Sequence, residues 1–246
     1  MGGVLIKKDN VSNDMPEHDA AQPRPLAEAE EVYLRWLHHL DEEFTRHHKP
    51  AMRAEFVRDQ LHQLLLGRPH GGKLNFTLTT ELPYNILQLT LDPGNVTLSA
   101  QHLEGVDREK YDSRQPLIWF WQMFDRTPVA LNHWLGTRFR AMLGKHIFKH
   151  IGENVQISHG VNFTFGYNVS IEDDCIIRRR VVLDDSAELI IHKGAKIGEY
   201  ASIYTRELGK QDGPSKVEVI AGMVLDPHWV FRPGMDGAGK VRTWEK

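Results

Sequence analysis

From Ile151 to Ile203 the large apolar residues return at every sixth position, a period that neither a helix nor an ordinary strand uses. Ile151, Ile157 and Phe163 form one set of three, Ile171, Ile177 and Leu183 a second, and Ile191, Ile197 and Ile203 a third, each set displaced from the last by two further residues. A step of six fits a triangular coil in which each side sends one side chain inward, three sides close a turn, and aliphatics stack from turn to turn. Gly152, Gly160, Gly166, Asn168, Asp173, Asp174, Gly194 and Gly198 supply the small or turn-forming residues that corners require. Spacing does not reveal the handedness, and the right-handed crossover rule for parallel strands argues against a left-handed coil. From Glu207 onward the period fades, with only Val224 and Val230 six apart, so an irregular C-terminal tail is expected.

The rest of the chain reads in three parts. Residues 1–25 are polar, carry Pro16, Pro23 and Pro25, and lack periodicity, as a disordered arm would. Residues 26–115 form an α+β region. Tyr33, Trp36, Leu37, Leu40 and Phe44, then Phe56, Val57, Leu61, Leu64 and Leu65, recur at helical spacing on either side of Pro50. Leu74, Phe76 and Leu78 alternate with polar residues, and Asp92-Pro93-Gly94-Asn95 separates LQLTL from VTLSA as a turn separates two strands. Residues 116–150 again show helical spacing, in Trp134, Leu135, Phe139, Met142, Leu143, Ile147 and Phe148. Helices there would cap the first coil, whose apolar end needs cover, with Trp119, Phe120 and Trp121 packing them onto it.

A formal net charge of −3 removes the concentrated positive field that nucleic acid or an anionic membrane surface attracts, so neither is an expected partner. Cys175 is the single cysteine, and the N-terminus has only three consecutive strongly apolar residues, short of a signal-peptide core; the expected location is cytoplasmic.

At FGYNVSIEDDCII, VVLDD and AKIGEYASIYT the sequence resembles the hexapeptide-repeat acyltransferases, and within them the maltose and galactoside O-acetyltransferase branch, over roughly residues 151–205. The resemblance implies a mainly β chain with a left-handed parallel β-helix over 151–246, a homotrimer, and sites between neighbouring subunits where acetyl-CoA or another acyl-CoA lies along the coils. It implies transfer of the acyl group to a small or sugar-like acceptor, with a histidine after IYT as general base, since the base must take a proton near working pH and later return it to the leaving thiol. Here that position holds Leu208, which transfers no proton, and an asparagine before VVLD is replaced by Arg179. Asp184, which borders the acceptor site in relatives, is retained, and Tyr204 stands in the IYT segment.

The base is therefore sought in His192, in His228 of DPHWV, or in Glu207 acting through water, while Asp184, Arg179 and Tyr204 are the candidate substrate-binding residues. A solvated surface histidine is the plain alternative for both imidazoles. Arg178, Arg179 and Arg180 could hold phosphates, or pair with Asp173, Asp174 or Asp185 on a solvated face. Cys175 reads as an inert outward or corner thiol. No metal is expected: zinc between subunits needs three converging histidines, and residues 151–205 offer only His159 and His192. A second functional class stays open, a non-catalytic trimeric β-helix scaffold that has lost its histidine.

Overall fold

A computed structural model describes residues 4–6, 23–71, 82–206 and 216–233. In chain order its elements begin with strand β1 (Val4–Ile6) and helices α1 (Ala27–Arg46), α2 (Pro50–Leu66), α3 (Leu82–Thr90), α4 (Arg108–Asp112), α5 (Gln115–Phe124) and α6 (His133–Ile147). Four triplets of short strands follow: β2 (His150–Ile151), β3 (Gln156–Ile157), β4 (Asn162–Phe163); β5 (Val169–Ile171), β6 (Ile176–Ile177), β7 (Val182–Asp184); β8 (Glu188–Ile191), β9 (Lys196–Ile197), β10 (Ser202–Tyr204); and β11 (Lys216–Val219), β12 (Val224–Leu225), β13 (Val230–Phe231). The chain divides into two compact units, residues 1–35 with 133–246, and residues 36–132.

The first unit contains a three-faced parallel β-helix. Its sheets run β1-β11-β8-β5-β2, β13-β10-β7-β4 and β12-β9-β6-β3, all their pairings parallel. The six-residue period predicts the inward positions: Ile151, Ile171 and Ile191 are in register on one face, Ile157, Ile177 and Ile197 on the second, Phe163, Leu183 and Ile203 on the third. Each side also turns a second residue inward two positions earlier, where Val155, Cys175, Ala195 and Met223, or Val161, Val181, Ala201 and Trp229, are buried. Cys175 is thus a core thiol, not an outward or corner one; burial pushes its pKa up, which keeps it protonated and inert.

Three positions before the inward residues of the second and third faces the backbone enters the left-handed region, at Asn154, Asp174, Arg180, Tyr200 and His228 as well as at Gly160, Gly194 and Gly222, and Gly166 enters it between β4 and β5. Gly152 and Gly198 answer a different need. A Cβ on Gly198 would lie 2.5 Å from Pro227 N and 2.6 Å from Leu225 O of the next coil, and one on Gly152 would lie 2.6 Å from Asp173 N.

The period does not fade after Glu207. Val219, Leu225 and Phe231 stand in register with Ile191, Ile197 and Ile203, so a fourth coil continues the stack. An insertion between the third and fourth coils shifts the phase and hides it. Val224 and Val230, the pair visible in the sequence, align with the outward Lys196 and Ser202. The first residues are not wholly a disordered arm either: β1 pairs with β11 and adds a fifth strand to one face, because an exposed parallel edge offers free N–H and C=O groups. At the opposite end α6 packs on β2 and β3, with Phe148 edge-on to Phe163 at 5.1 Å.

The second unit is helical. Alternation in LQLTL predicts a strand, yet α3 covers it, and among the described residues 26–115 there is no strand. Buried Asn85, Gln88 and Leu91 lie three apart, a helical face that polarity alone conceals because two of its members are amides. Leu74, Phe76 and Leu78 lie outside the described residues. Trp119, Phe120 and Trp121 belong to this unit on α5, which packs on α2; Trp119 donates to Thr90 O at 3.1 Å, and Phe120 meets Phe44 at 6.2 Å. Among the described residues helical residues outnumber strand residues, so a mainly β description is not borne out for them.

Arg53, 5% exposed, ties the helices of this unit together by donating to the carbonyls of Phe44, His47 and Ser113 at 3.3, 2.7 and 2.7 Å. Arg53→Met would strand three inward-facing acceptors and is expected to destabilise the helical unit by about 3 kcal/mol, read as faster amide exchange over α1 and α2. In the coil, Gly198→Ala should cost about 3 kcal/mol in denaturant unfolding because backbone must move to admit the methyl group. Gly71→Ala, where a Cβ would meet nothing within 4 Å, should stay within about 0.5 kcal/mol of the parent.

Candidate active site

A closed coil buries one set of side chains and presents the rest on three faces and three corners, so any chemistry lies outward. Six extended residues per side separate the corners by up to about 20 Å. The candidate residues distribute over all three corners.

His192 follows the inward Ile191 at the first corner. Its Nδ1 lies 3.0 Å from Glu172 Oε1 and its Nε2 3.3 Å from Glu218 Oε1, with the side chain 28% exposed. Glu172 is fixed in turn: its Oε2 accepts from Lys193 N at 2.9 Å, and that bond, with His192 behind it, holds its pKa below the usual carboxylate range. Glu218 is depressed by Lys216, at 3.0 Å, and by His192. As an imidazolium, His192 donates to both carboxylates. With the Nε2 proton gone, that nitrogen and Glu218 Oε1 would face each other as two acceptors, and the contact of Nδ1–H with Glu172 is the hydrogen bond that remains.

The second corner carries Arg179 and His228. Arg179 grips Glu199 with both arms, Nε to Oε1 and Nη2 to Oε2 at 3.0 Å each, and Glu199 raises its pKa; the aspartates expected as its partners are not those it takes. His228 occupies a left-handed corner position and stacks on Tyr200, rings 4.9 Å apart and 2° from parallel, with Arg180 5.7 Å from the centre of the Tyr200 ring.

Asp184 and Tyr204 share the third corner in register. Both Asp184 oxygens are engaged: Oδ1 accepts from Thr164 Oγ1 at 3.0 Å and Ser186 Oγ at 2.6 Å, Oδ2 from Thr205 N at 3.0 Å and Thr205 Oγ1 at 3.2 Å. Arg232 lies over the Tyr204 ring at 4.5 Å. Beneath this pair the buried Asp185 accepts from the N–H groups of Thr164, Phe165 and Asn168 at 3.0, 2.7 and 3.2 Å. Glu207 and Leu208 lie outside the described residues.

Glu172, Glu199 and Glu218 were not singled out by sequence reasoning. The signal that finds the first two is the coil length, since Glu172 and His192, and Arg179 and Glu199, are 20 residues apart and so adjacent on successive coils. Among the described residues no group of three or more His, Cys, Asp or Glu side chains could hold a metal ion, and no helix is long and apolar enough to cross a membrane.

No protein-family model matches this sequence, and no curated protein matches it. Among solved structures, one of serine acetyltransferase in complex with cysteine aligns with 89% of this chain and 91% of its own at 14% identity, with a TM-score of 0.26. At that score the alignment carries no inference.

Burial, opposed by the three N–H donors and reinforced by Asp184, pushes Asp185 up to about 6. Between the ordinary value and that one the folded chain binds the extra proton, so this group's contribution to stability rises as pH falls through 6 and levels off below about 4. Relative to Asp185→Asn, the parent protein should therefore gain about 1 kcal/mol on going from about pH 7 to pH 5, measured as the difference between their denaturant midpoints. Depressed carboxylates elsewhere push stability the other way and cancel in this comparison.

Proposed function

We propose that the chain is an acyl-CoA-dependent O-acyltransferase, of the hexapeptide-repeat kind with a left-handed coil, acting on a small or sugar-like acceptor. The observation that carries the reading is His192 held by the anchored Glu172. In the transfer step the acceptor oxygen attacks the thioester carbonyl while His192 Nε2 takes its proton; the C–S bond then breaks and the thiolate leaves with that proton returned. Glu172 orients the imidazole and stabilises its cation, and Glu218, the longer contact, yields to the acceptor. His228, stacked on Tyr200, is the weaker choice.

A homotrimer is part of the proposal. Asp184, Arg179 and Tyr204 stand on other corners than His192, and one chain cannot bring them to one acceptor; a neighbouring copy docked along a face could. The engaged oxygens of Asp184 and the paired guanidinium of Arg179 favour the alternative of a non-catalytic trimeric scaffold, and the two readings separate cleanly.

The test is thiol release by the full chain, its mass first established by sedimentation, with acetyl-CoA and a panel of sugar and small alcohol acceptors. Acceptor-dependent release that falls about 100-fold in His192→Gln and less in Glu172→Gln is the expected result. Release unchanged in His192→Gln would discard His192 as base, and absence of acetyl-CoA binding would leave the scaffold.

A further inference from the structure

The helical unit holds a titratable side chain that its surroundings leave unserved. His62, on α2, is fully buried, and neither its Nδ1 nor its Nε2 has a hydrogen-bond partner among the described residues. A neutral imidazole offers one donor and one acceptor, and a charged one two donors. Buried polar groups are nearly always satisfied, so an exception on both nitrogens of one ring needs a reason. The ring meets a second imidazole: half-buried His70 stands edge-on to it, centres 4.7 Å apart and planes at 87°.

The charges around His62 do not welcome a proton. On its own helix Arg58 repels an imidazolium and Asp59 attracts one, but Asp59 Oδ1 is already bonded to Arg58, at 3.0 Å from Nε and 2.9 Å from Nη2. The Gln88 carbonyl of α3 favours the charged ring, yet makes no hydrogen bond of ordinary geometry with it. α5 and the single turn Pro93–Asn95, which pack on α2, contain no Asp, Glu, His, Lys or Arg, and neither does α3. Asp92, just before that turn, lies 3.9 Å from Arg58, and α1 meets α2 at Gln60 and Phe56 through Trp36, His39 and Phe44. Burial first, and His70 next, hold the pKa of His62 below the ordinary histidine value.

α3 is the element that such a ring can release. It turns the amides of Asn85 and Gln88 inward and leaves Ile86 61% and Leu87 44% exposed, the reverse of the usual amphipathic order. Among its described side chains no aliphatic is buried, so little apolar contact secures it, the mark of an element that opens locally.

We propose that His62 is an acid-sensitive latch: its imidazole, for whose added proton the folded helical unit provides no acceptor, lets α3 come away from α2 in mild acid while the coil stays closed. The sign follows from where the proton goes. Below about pH 6.5 an exposed imidazole binds a proton that the buried one refuses, so acid favours the open form until the buried ring itself titrates. The latch is independent of the acyltransferase reading, because His192 belongs to the other unit.

The test is deuterium exchange of the full chain, followed by mass spectrometry at about pH 7.5 and about pH 5.5, in the parent, His62→Phe and His62→Gln. Comparing parent with variant at one pH cancels the chemical dependence of exchange on pH. The parent-to-variant ratio over residues 60–66 and 82–91 should rise several-fold between the two pH values, up to about tenfold, because a free imidazole is about ten parts protonated to one at the lower pH. Over residues 169–204 the ratio should not change. His62→Phe supplies an apolar ring and His62→Gln a polar group that does not titrate, so either serves as the reference. In the parent alone, acid should speed exchange over residues 82–91 relative to residues 169–204 by the same factor, a readout that needs no variant. A ratio that does not move with pH would overturn the latch, and so would a rise shared equally by residues 169–204.

Discussion

Everything in the coil follows from parallel stacking in register. Each turn's backbone N–H and C=O groups bond the turns before and after it, so Gln156 donates to Cys175, Ile176 to Ala195 and Lys196 to Met223 in an unbroken line along one face. Such a ladder tolerates no local compromise. A side chain that points inward must match those above and below it, which is why the columns are apolar and mostly Ile, Leu and Val, and why a Cβ at Gly198 or Gly152 has nowhere to go. Stacking also leaves the first coil with an apolar end, on which α6 packs, and at the last coil β1 extends one of the three faces.

The same constraint decides what polar residues do. A carboxylate at a corner is first a partner for the neighbouring turn: Asp173 accepts from Glu153 N, Asp174 from Asn154, and Asp184 and Asp185 close the third corner. Conspicuous acids and bases are therefore poor guides to chemistry in this fold. His192 differs in that its two contacts are to carboxylates secured by other groups, which leaves the imidazole part-exposed and oriented rather than consumed.

The sequence displays the coil plainly because aliphatic columns must repeat at the coil's own period, and seven of the nine positions so identified are fully buried. It conceals what depends on phase or on the third dimension. The fourth coil is hidden by an insertion, though Val217, Val219 and Leu225 are as buried as their counterparts. Left-handed corners filled by Arg180, Tyr200 and His228 carry no glycine to announce them. The helix over LQLTL is hidden because its inward positions are amides. The polar partnerships were legible in principle, at an offset of one coil, but only once 20 residues is recognised as the distance between neighbours; Arg179 looks paired with nearby aspartates until that offset points to Glu199.

That offset also explains where the chain can vary. Inward positions step by six within a turn but by eight from Phe163 to Ile171 and from Leu183 to Ile191, so the third corner is the long one in every turn. It is there that the chain departs after Tyr204 and returns at Lys216, a step of sixteen from Ile203 to Val219 that leaves both columns in register. At a corner that long, side chains add to the backbone turn that Val169 N closes on Gly166 O at 3.0 Å: Asp185 gathers three N–H groups from the turn below, while the buried Thr205 accepts from Ala187 N and bonds Asp184. The retention of Asp184 and its neighbour is thus accounted for by the geometry of the longest corner, and any role of Asp184 toward an acceptor would have to be exercised without giving up the bonds that hold that corner closed.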